Sequence, residues 1–302
     1  MQSIELGKTG EKLSEIGLGT WMLSSNEQME IEALRTGFDS GINFVDTAEM
    51  YGTEPIVGKA VAGREGLFVA TKVSPTHFRY DDVIRACDSS LRRLGIKAID
   101  LYQLHWPNKN VPIEETMRAM EKLVEDGKIR HIGVSNFSAG ELQEAQAALK
   151  KNEVVSDQVE YSIVVREVER DLLAYCKKQR VSIIAYSPLV HGRLFDSKYA
   201  PLAALLSKIG RRYGKTAAQV AINWLICKSN VIPIPKASSK DHVKELVGST
   251  GWRLKSHDLS ELDSFLSSYR RRPLSRFVKP ALNSHPAVTR VLTWLGSLHA
   301  KK

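Results

Sequence analysis

Short apolar runs alternate with amphipathic segments along the 302-residue chain, and the alternation occurs eight times. Several runs are almost continuously apolar, which is typical of parallel strands covered on both faces. The predicted strands span residues 16–21, 43–48, 67–73, 99–105, 129–135, 154–160, 181–187 and 231–235. Ahead of them, residues 4–6 and 12–14 flank a turn with a glycine at each end, which predicts a hairpin.

Between the predicted strands, apolar residues recur at helical spacing, and several segments open with residues that favour a helix N-terminus. The predicted signals are capping boxes of Ser25 with Gln28 and of Ser138 with Glu141, an aspartate cap at Asp81 or Asp82, and a first-turn proline at Pro112. Two stretches do not fit the repeat: 188–214, a long connection after the seventh strand, and 252–302, beyond the last barrel helix. Connections of this length in a compact domain are usually functional loops or tails.

Eight strand–helix units in one chain imply either a closed parallel barrel or a doubly wound sheet. The count of eight favours the barrel, and Gly17 and Gly19 are followed by Met22, so the dinucleotide-binding glycine fingerprint is absent. The predicted fold is therefore an α/β (β/α)8 TIM barrel with an N-terminal β-hairpin and a C-terminal extension. Residues 1–268 form the barrel, and residues 269–302 form a basic tail.

Composition narrows the class of protein and its compartment. Apolar residues make up 43% of the chain and charged residues 25%, which suits a globular fold. The three cysteines are widely spaced, no secretory pattern or long apolar run occurs, and metal-ligand spacing is absent, so we expect a cytoplasmic protein without a metal or a transmembrane segment. Eight of the positive charges behind the net charge of +9 follow Asp263, where no acidic residue occurs. The rest of the chain is nearly neutral, so we expect no nucleic-acid partner.

Four chemically useful side chains fall at the carboxyl ends of three consecutive predicted strands, where barrel enzymes place their active sites. They are Asp46, Tyr51, Lys72 and His105. Taken singly, each has a structural explanation: a turn cap for Asp46, a rim aromatic for Tyr51, a solvated strand end for Lys72 and a hydrogen-bonded structural histidine for His105. Together they suit proton donation to a carbonyl.

The proposed roles follow from ordinary pKa values. A free tyrosine, with a pKa of about 10, is a poor acid at neutral pH, and we expect the charge of Lys72 to lower the pKa of Tyr51. Asp46 would hold Lys72 in place, and neutral His105 would donate a hydrogen bond to the substrate oxygen. No side chain supplies hydride, so a redox cofactor is required.

Five motifs in order carry a family resemblance: DTAEMYG (46–52), TKV (71–73), QLHWP (103–107), GVSNF (133–137) and AYSPL (185–189). Over about residues 1–268 the chain closely resembles the aldo-keto reductase superfamily. The resemblance assigns the catalytic tetrad to Asp46, Tyr51, Lys72 and His105. It implies reduction of an aldehyde or ketone, such as a small aldehyde or a sugar, by hydride transfer with tyrosine as the acid.

The resemblance also implies an NADP molecule lying across the barrel mouth. Its contacts would be Gly19, Thr20, Trp21, Asp46, Ser135, Asn136, Gln158, Tyr186, Ser187, Leu189, Gly192, Pro235, Lys236, Ser238, His242 and Glu245. Ser135, Asn136 and Gln158 would hold the carboxamide, and Tyr186 would stack on the nicotinamide ring. Lys236 would pair with the 2′-phosphate. His242 and Leu246 stand where the family usually has arginine and asparagine, so NAD remains an alternative cofactor.

Substrate and partners are less well defined by the sequence. Trp21, Tyr51, His105 and Trp106 are expected to line a pocket for a small carbonyl compound, with His77 and Phe78 nearby. A regulatory subunit that binds NADP with little turnover is the alternative function, and a hydrolase or isomerase lacks the carboxylate pair it would need. In the tail, residues 287–298 predict an amphipathic helix that docks on the barrel, on a second subunit or on an anionic membrane.

Overall fold

A computed structural model of the protein describes residues 1–23 and 26–269. Eight parallel strands lie side by side in sequence order, as the alternation predicted. They are β3 (Leu18–Gly19), β4 (Phe44–Asp46), β5 (Phe68–Val73), β6 (Ile99–Leu104), β7 (Ile129–Ser135), β8 (Val154–Glu160), β9 (Ser182–Tyr186) and β10 (Val231–Pro233). The fold is the predicted (β/α)8 architecture.

Glycines at the first barrel strand allow it to approach the last one. The Gly17 amide donates to the Pro233 carbonyl at 2.9 Å, and the Gly19 amide donates to the Pro235 carbonyl at 3.0 Å. A Cβ on Gly19 would lie 2.8 Å from the Ile234 carbonyl oxygen, closer than real Cβ contacts come. Because proline has no N–H, Pro235 cannot donate a hydrogen bond back to the first barrel strand. Both hydrogen bonds named here are therefore donated by the first strand to the last.

Helices follow the strands on the outside of the sheet. They are α1 (Glu27–Asp39), α2 (Glu54–Val61), α3 (Tyr80–Leu94), α4 (Ile113–Glu125), α5 (Ala139–Ala148), α6 (Leu172–Gln179), α7 (Ala200–Tyr213), α8 (Ala217–Ile226) and α9 (Lys240–Val247). The capping box of Ser138 with Glu141 is confirmed. Pro112 lies just before α4 as its N-cap residue.

Two predicted helix starts differ from the structure. The N-cap of α1 is Asn26, whose side chain accepts from the Met29 amide, while Ser25 lies outside the described residues. The prediction of an aspartate cap on α3 was wrong: the helix begins one residue earlier than Asp81, and Asp81 and Asp82 lie in its first turn. Acidic groups there still favour the positive end of the helix dipole.

The connection after the seventh barrel strand is more regular than predicted. Within residues 188–214, two short 3-10 turns, Arg193–Phe195 and Ser197–Tyr199, lead into the 14-residue helix α7. Helix α8, which follows, begins with a capping box of Thr216 and Gln219. The irregular part of this connection is therefore confined to the residues between Tyr186 and Ala200.

The N-terminal hairpin closes one end of the barrel. Its strands are β1 (Ser3–Glu5) and β2 (Lys12–Ser14), and Leu6 and Leu13 pack into one buried cluster with Phe44 and Phe68. The Gly7 amide donates to the Ser182 hydroxyl at 2.8 Å, at the start of β9. This plug fills the amino-terminal end of the barrel, so the carboxyl ends of the strands form the open mouth.

Residues 1–255 form one compact unit, and a second unit begins at Ser256. The described part of the second unit is helix α10 (Ser256–Tyr269). The predicted tail helix at 287–298 lies outside the described residues, and the boundary at residue 268 stays a prediction. In the described part of the chain, no helix is both long and apolar enough to cross a membrane, and no cluster of metal ligands occurs.

Candidate active site

The four side chains proposed for catalysis lie together at the mouth. The Lys72 ammonium is 2.6 Å from Asp46 Oδ2 and 3.4 Å from the Tyr51 hydroxyl. The centres of the Tyr51 and His105 rings are 5.3 Å apart in an edge-to-face arrangement. Asp46 ends β4, Lys72 lies in β5 and His105 follows β6, whereas Tyr51 lies in a one-turn 3-10 helix, Glu49–Tyr51.

Lys72 and Asp46 form a dry ion pair inside the barrel. Lys72 is 0% exposed and Asp46 is 1% exposed. Lys72 also donates to the Thr47 carbonyl at 2.8 Å, while Asp46 Oδ1 accepts from the side-chain amides of Gln103 at 3.1 Å and Gln158 at 2.7 Å. A buried ion pair is stable only when its remaining polar atoms are bonded, and these amides supply that bonding.

The electrostatics of the site differ in one respect from the expectation. Burial, and secondarily the negative charge of Asp46, raise the pKa of Tyr51 well above its ordinary value. The expected lowering of the Tyr51 pKa was therefore wrong for this site, because burial disfavours the phenolate and the charge of Asp46 adds to that effect. Tyr51 is therefore protonated at neutral pH but is a weaker acid than free tyrosine, so proton transfer depends on Lys72 stabilising the phenolate as it forms.

Burial also shifts the pKa values of Lys72 and His105. Burial lowers the pKa of Lys72, and the charge of Asp46 opposes that shift. Burial, with help from the Lys72 charge, lowers the pKa of His105 well below its ordinary value, so the imidazole is neutral at pH 7 as expected. Its ring stacks on that of Trp106, with 3.9 Å between centres, which fixes its orientation.

The residues expected at the carboxamide form one hydrogen-bonded chain that reaches the ion pair. The Ser135 hydroxyl donates to the Gln158 carbonyl at 2.8 Å, and the Asn136 side chain donates to the Ser135 hydroxyl at 3.0 Å. The half-buried Tyr186 donates its hydroxyl to Asn136 Oδ1 at 2.9 Å. Because Gln158 bonds directly to Asp46, this polar cluster adjoins the proposed proton donor.

The sequence of the chain matches the Aldo/keto reductase family model over residues 15–267. The chain belongs to this family. It is accordingly an NAD(P)H-dependent oxidoreductase, and the (β/α)8 fold and the buried lysine–aspartate pair described above belong to an aldo-keto reductase.

Three relatives illustrate the similarity. Methylglyoxal reductase YeaE of Escherichia coli (strain K12) is 39% identical over 259 residues, which cover 83% of this chain and 90% of that protein. An aldo/keto reductase from Klebsiella pneumoniae, solved with NADP and acetate, is 35% identical with a TM-score of 0.80, covering 88% of this chain and 95% of that one. A thermostable aldo-keto reductase solved with the inhibitor epalrestat is 41% identical with a TM-score of 0.82, covering 87% and 99%.

In this aldo-keto reductase, the loop after β9 has an unusual backbone. Ser187, Val190, His191 and Gly192 all have positive φ angles, of 51°, 55°, 55° and 79°. The ring of His191 lies 5.2 Å from that of Trp21, so the loop reaches the segment that follows the first barrel strand. The expected pyrophosphate residues of this loop, Ser187, Leu189 and Gly192, are at least partly exposed.

The residues expected at the adenosine end of the reductase lie in and just before α9. Lys236 is exposed, with its ammonium 3.4 Å from the Ser238 hydroxyl, and His242 is exposed in the first turn of α9. Glu245 accepts from Thr216, the N-cap residue of α8, at 3.0 Å. Leu246 is 5% exposed and packs inside, which explains why an apolar residue is stable there.

Some of the other expected site residues are partly exposed, and others are buried. Trp21 and Trp106 are partly exposed, as pocket walls should be, and Pro235 is buried behind Lys236. Phe78, which was expected near the pocket, is 1% exposed and packs in the interior.

Gly19 and Thr20, which were expected to contact the cofactor, form hydrogen bonds that hold the barrel backbone. Gly19 bonds to the last barrel strand through its amide. The buried hydroxyl of Thr20 donates to the Asp46 carbonyl at 3.0 Å and lies 3.0 Å from the Thr53 hydroxyl. Thr20 therefore fixes the strand end that carries Asp46, from beneath the site.

Gln103 is a site residue that sequence reasoning did not single out. It is 0% exposed and lies beside Lys72 in the β5–β6 register, where it bonds to Asp46. The signal was present, because Leu101, Gln103 and His105 alternate along one strand and share a face. A polar residue between inward-facing neighbours must find a partner inside the barrel.

Proposed function

We propose that this enzyme reduces the carbonyl group of a small aldehyde or ketone with NADPH, and that Tyr51 is the proton donor. The observation that carries the proposal is the continuous path from the Tyr51 hydroxyl through the Lys72 ammonium to Asp46, beside the neutral ring of His105. This arrangement combines a protonated acid, a cation for the developing phenolate and a neutral hydrogen-bond donor.

Each side chain has one task in the proposed reaction. The bound cofactor supplies hydride to the carbonyl carbon. Tyr51 gives its proton to the oxygen as negative charge develops there. Lys72 donates to the phenolic oxygen and stabilises the charge left on it, Asp46 keeps Lys72 charged in a dry interior, and neutral His105 orients the substrate oxygen.

The polar groups at the mouth suit a nicotinamide cofactor. Ser135, Asn136 and Gln158 present hydroxyl and amide groups, which match the donors and acceptor of a carboxamide, and Tyr186 presents a ring beside them. We favour NADPH over NADH because Lys236 is exposed near the start of α9, where backbone amides also attract anions. The Klebsiella pneumoniae relative was solved with NADP, which supports this preference.

We infer a small, compact substrate. Trp21 follows the first barrel strand and Trp106 follows the fourth, and both are partly exposed. Aromatic walls with few polar groups suit small apolar or weakly polar carbonyl compounds. The Escherichia coli relative is named a methylglyoxal reductase, which makes short 2-oxoaldehydes the first compounds to test.

The test is the loss of NADPH absorbance in the presence of methylglyoxal, glyoxal, simple aldehydes, ketones and aldose sugars, with NADH in parallel. We expect saturable consumption with at least one short aldehyde and a higher kcat/KM with NADPH than with NADH. Tight NADPH binding without turnover on any carbonyl would refute the proposal and would favour a regulatory NADP-binding subunit.

A further inference from the structure

Tyr51 is the only tetrad member that lies outside the strands and their immediate ends. Strand β4 stops at Asp46, and Tyr51 lies in a single 3-10 turn, in which the Tyr51 amide donates to the Ala48 carbonyl. Its contact with Lys72 is 3.4 Å, which is long for a hydrogen bond. Contacts other than the hydrogen bonds between the strands of the sheet must therefore fix this turn relative to Lys72.

Glu49, two residues before Tyr51, is tied to the strand of Lys72. Its Oε2 accepts from the Ser74 amide at 2.9 Å, and its Oε1 lies 2.8 Å from His77 Nδ1. Ser74 follows Lys72 by two residues, and the side chain of Glu49 is only 17% exposed.

A second tie lies on the other side of the turn. Glu54 accepts from the Thr71 hydroxyl at 2.7 Å, and Thr71 is the residue immediately before Lys72. Gly52, with φ of 72°, reverses the chain between Tyr51 and Glu54. The turn is thus bonded to β5 on both sides of Lys72.

We propose that Glu49 is a positioning residue for Tyr51, holding the acid at the correct distance from Lys72 through the Ser74 amide. This inference rests on the proposed function, because it assumes that Tyr51 donates the proton. A carboxylate accepting from a backbone N–H gives a short and directional bond. Without it, the turn keeps its ties through Thr47 and Glu54 but loses the tie nearest to Tyr51, and the hydroxyl loses its fixed distance to Lys72 and to the substrate oxygen.

The first experiment compares Glu49→Ala with Glu49→Gln. The amide of glutamine still offers a carbonyl oxygen to the Ser74 amide, so we expect kcat within about threefold of wild type. Glu49→Ala should lower kcat by roughly 10- to 100-fold, the scale of a misplaced catalytic group, with little change in the KM for NADPH. Glu65→Ala, at an exposed position, is the control and should match the wild type.

The second experiment removes the partner of Glu49. Ser74 has φ of −62° and ψ of 141°, which proline adopts, so Ser74→Pro deletes the N–H without forcing a new backbone shape. Ser74→Ala keeps the N–H and is the matched control. We expect Ser74→Pro to lower kcat in the wild-type background but to add nothing to Glu49→Ala, which is the mark of residues acting through one bond.

A third comparison shows whether Glu49 acts through Tyr51. In a Tyr51→Phe background, Glu49→Ala should cause no further loss of kcat. A full additional loss there, or equal kcat for Glu49→Ala and wild type, would overturn the inference. If Tyr51→Phe itself keeps wild-type activity, the proposed function fails instead; if Tyr51→Phe is inactive and Glu49→Ala is not, only the role of Glu49 fails.

Discussion

Replacing Asp46 by asparagine tests how the fold tolerates the buried charge of Lys72. Lys72 is 0% exposed, and its ammonium lies 2.6 Å from Asp46 Oδ2. Removing one partner of a buried ion pair typically destabilises a protein by about 3–5 kcal/mol, because the other charge is left without compensation. Lys72 can escape that penalty only by losing its proton, and burial already lowers its pKa.

The stability lost in Asp46→Asn has an upper limit, which is the free energy needed to deprotonate the Lys72 ammonium. That free energy depends on pH. An unfolded lysine has a pKa of about 10.4, so holding Lys72 neutral costs about 4.6 kcal/mol at pH 7 and about 1.9 kcal/mol at pH 9. Because the folded pKa of Lys72 is lowered, the unfolded state binds more protons between the folded and the unfolded pKa of Lys72, and stability rises with pH there. Asp46→Asn lowers the folded pKa further, so the variant gains more from rising pH than the wild type.

The assay is urea unfolding of wild type and Asp46→Asn at pH 7 and pH 9. We expect the variant to be less stable by about 3–4 kcal/mol at pH 7 and by less than about 2 kcal/mol at pH 9. Asp46→Asn combined with Lys72→Met removes both charges and should recover most of the loss. A difference below about 1 kcal/mol at pH 7, or an equal difference at both pH values, would refute this reasoning.

Three further predictions follow from particular residues. Lys236→Ala should weaken NADPH binding by about 10-fold, a common effect of losing one phosphate contact, and leave NADH binding almost unchanged in a fluorescence titration; equal losses for both cofactors would contradict the phosphate assignment. Gly19→Ala places a Cβ 2.8 Å from the Ile234 carbonyl oxygen and should lower Tm, whereas Gly140→Ala, which meets nothing within 4 Å in helix α5, should keep or raise it. Truncation after Tyr269 should leave the barrel folded and Tyr51 active, but change substrate preference, subunit association or solubility; identical behaviour in all three measurements would show that the tail is passive.

The strands and their order could be predicted because buried parallel strands leave a plain apolar pattern in the sequence. All eight predicted runs contain an observed strand of the sheet. Helix α7 was taken as part of an irregular connection, although Leu202, Leu206 and Ile209 have helical spacing and are buried. The eight strand–helix units are complete without that helix, so the repeat alone does not predict it.

The site could be predicted as a set of residues but not as a set of interactions. The tetrad was located from strand ends and motifs, and the structure brings its members within contact. The direction of the Tyr51 pKa shift depends first on how deeply the phenol is buried and then on the nearby charge of Asp46, which no pattern of residues contains. The partner of Glu245 is a threonine at the start of a neighbouring helix, a contact between distant segments that only the fold reveals.

The central claim is that Tyr51 donates the proton in an NADPH-dependent reduction. Tyr51→Phe keeps the ring that packs against His105 and removes only the hydroxyl that lies 3.4 Å from Lys72. The decisive measurement is the rate of NADPH consumption by this variant with the best aldehyde substrate, together with NADPH affinity measured by fluorescence. The account predicts a loss of about 100-fold or more in kcat with NADPH affinity preserved. Activity within a few-fold of wild type would contradict it.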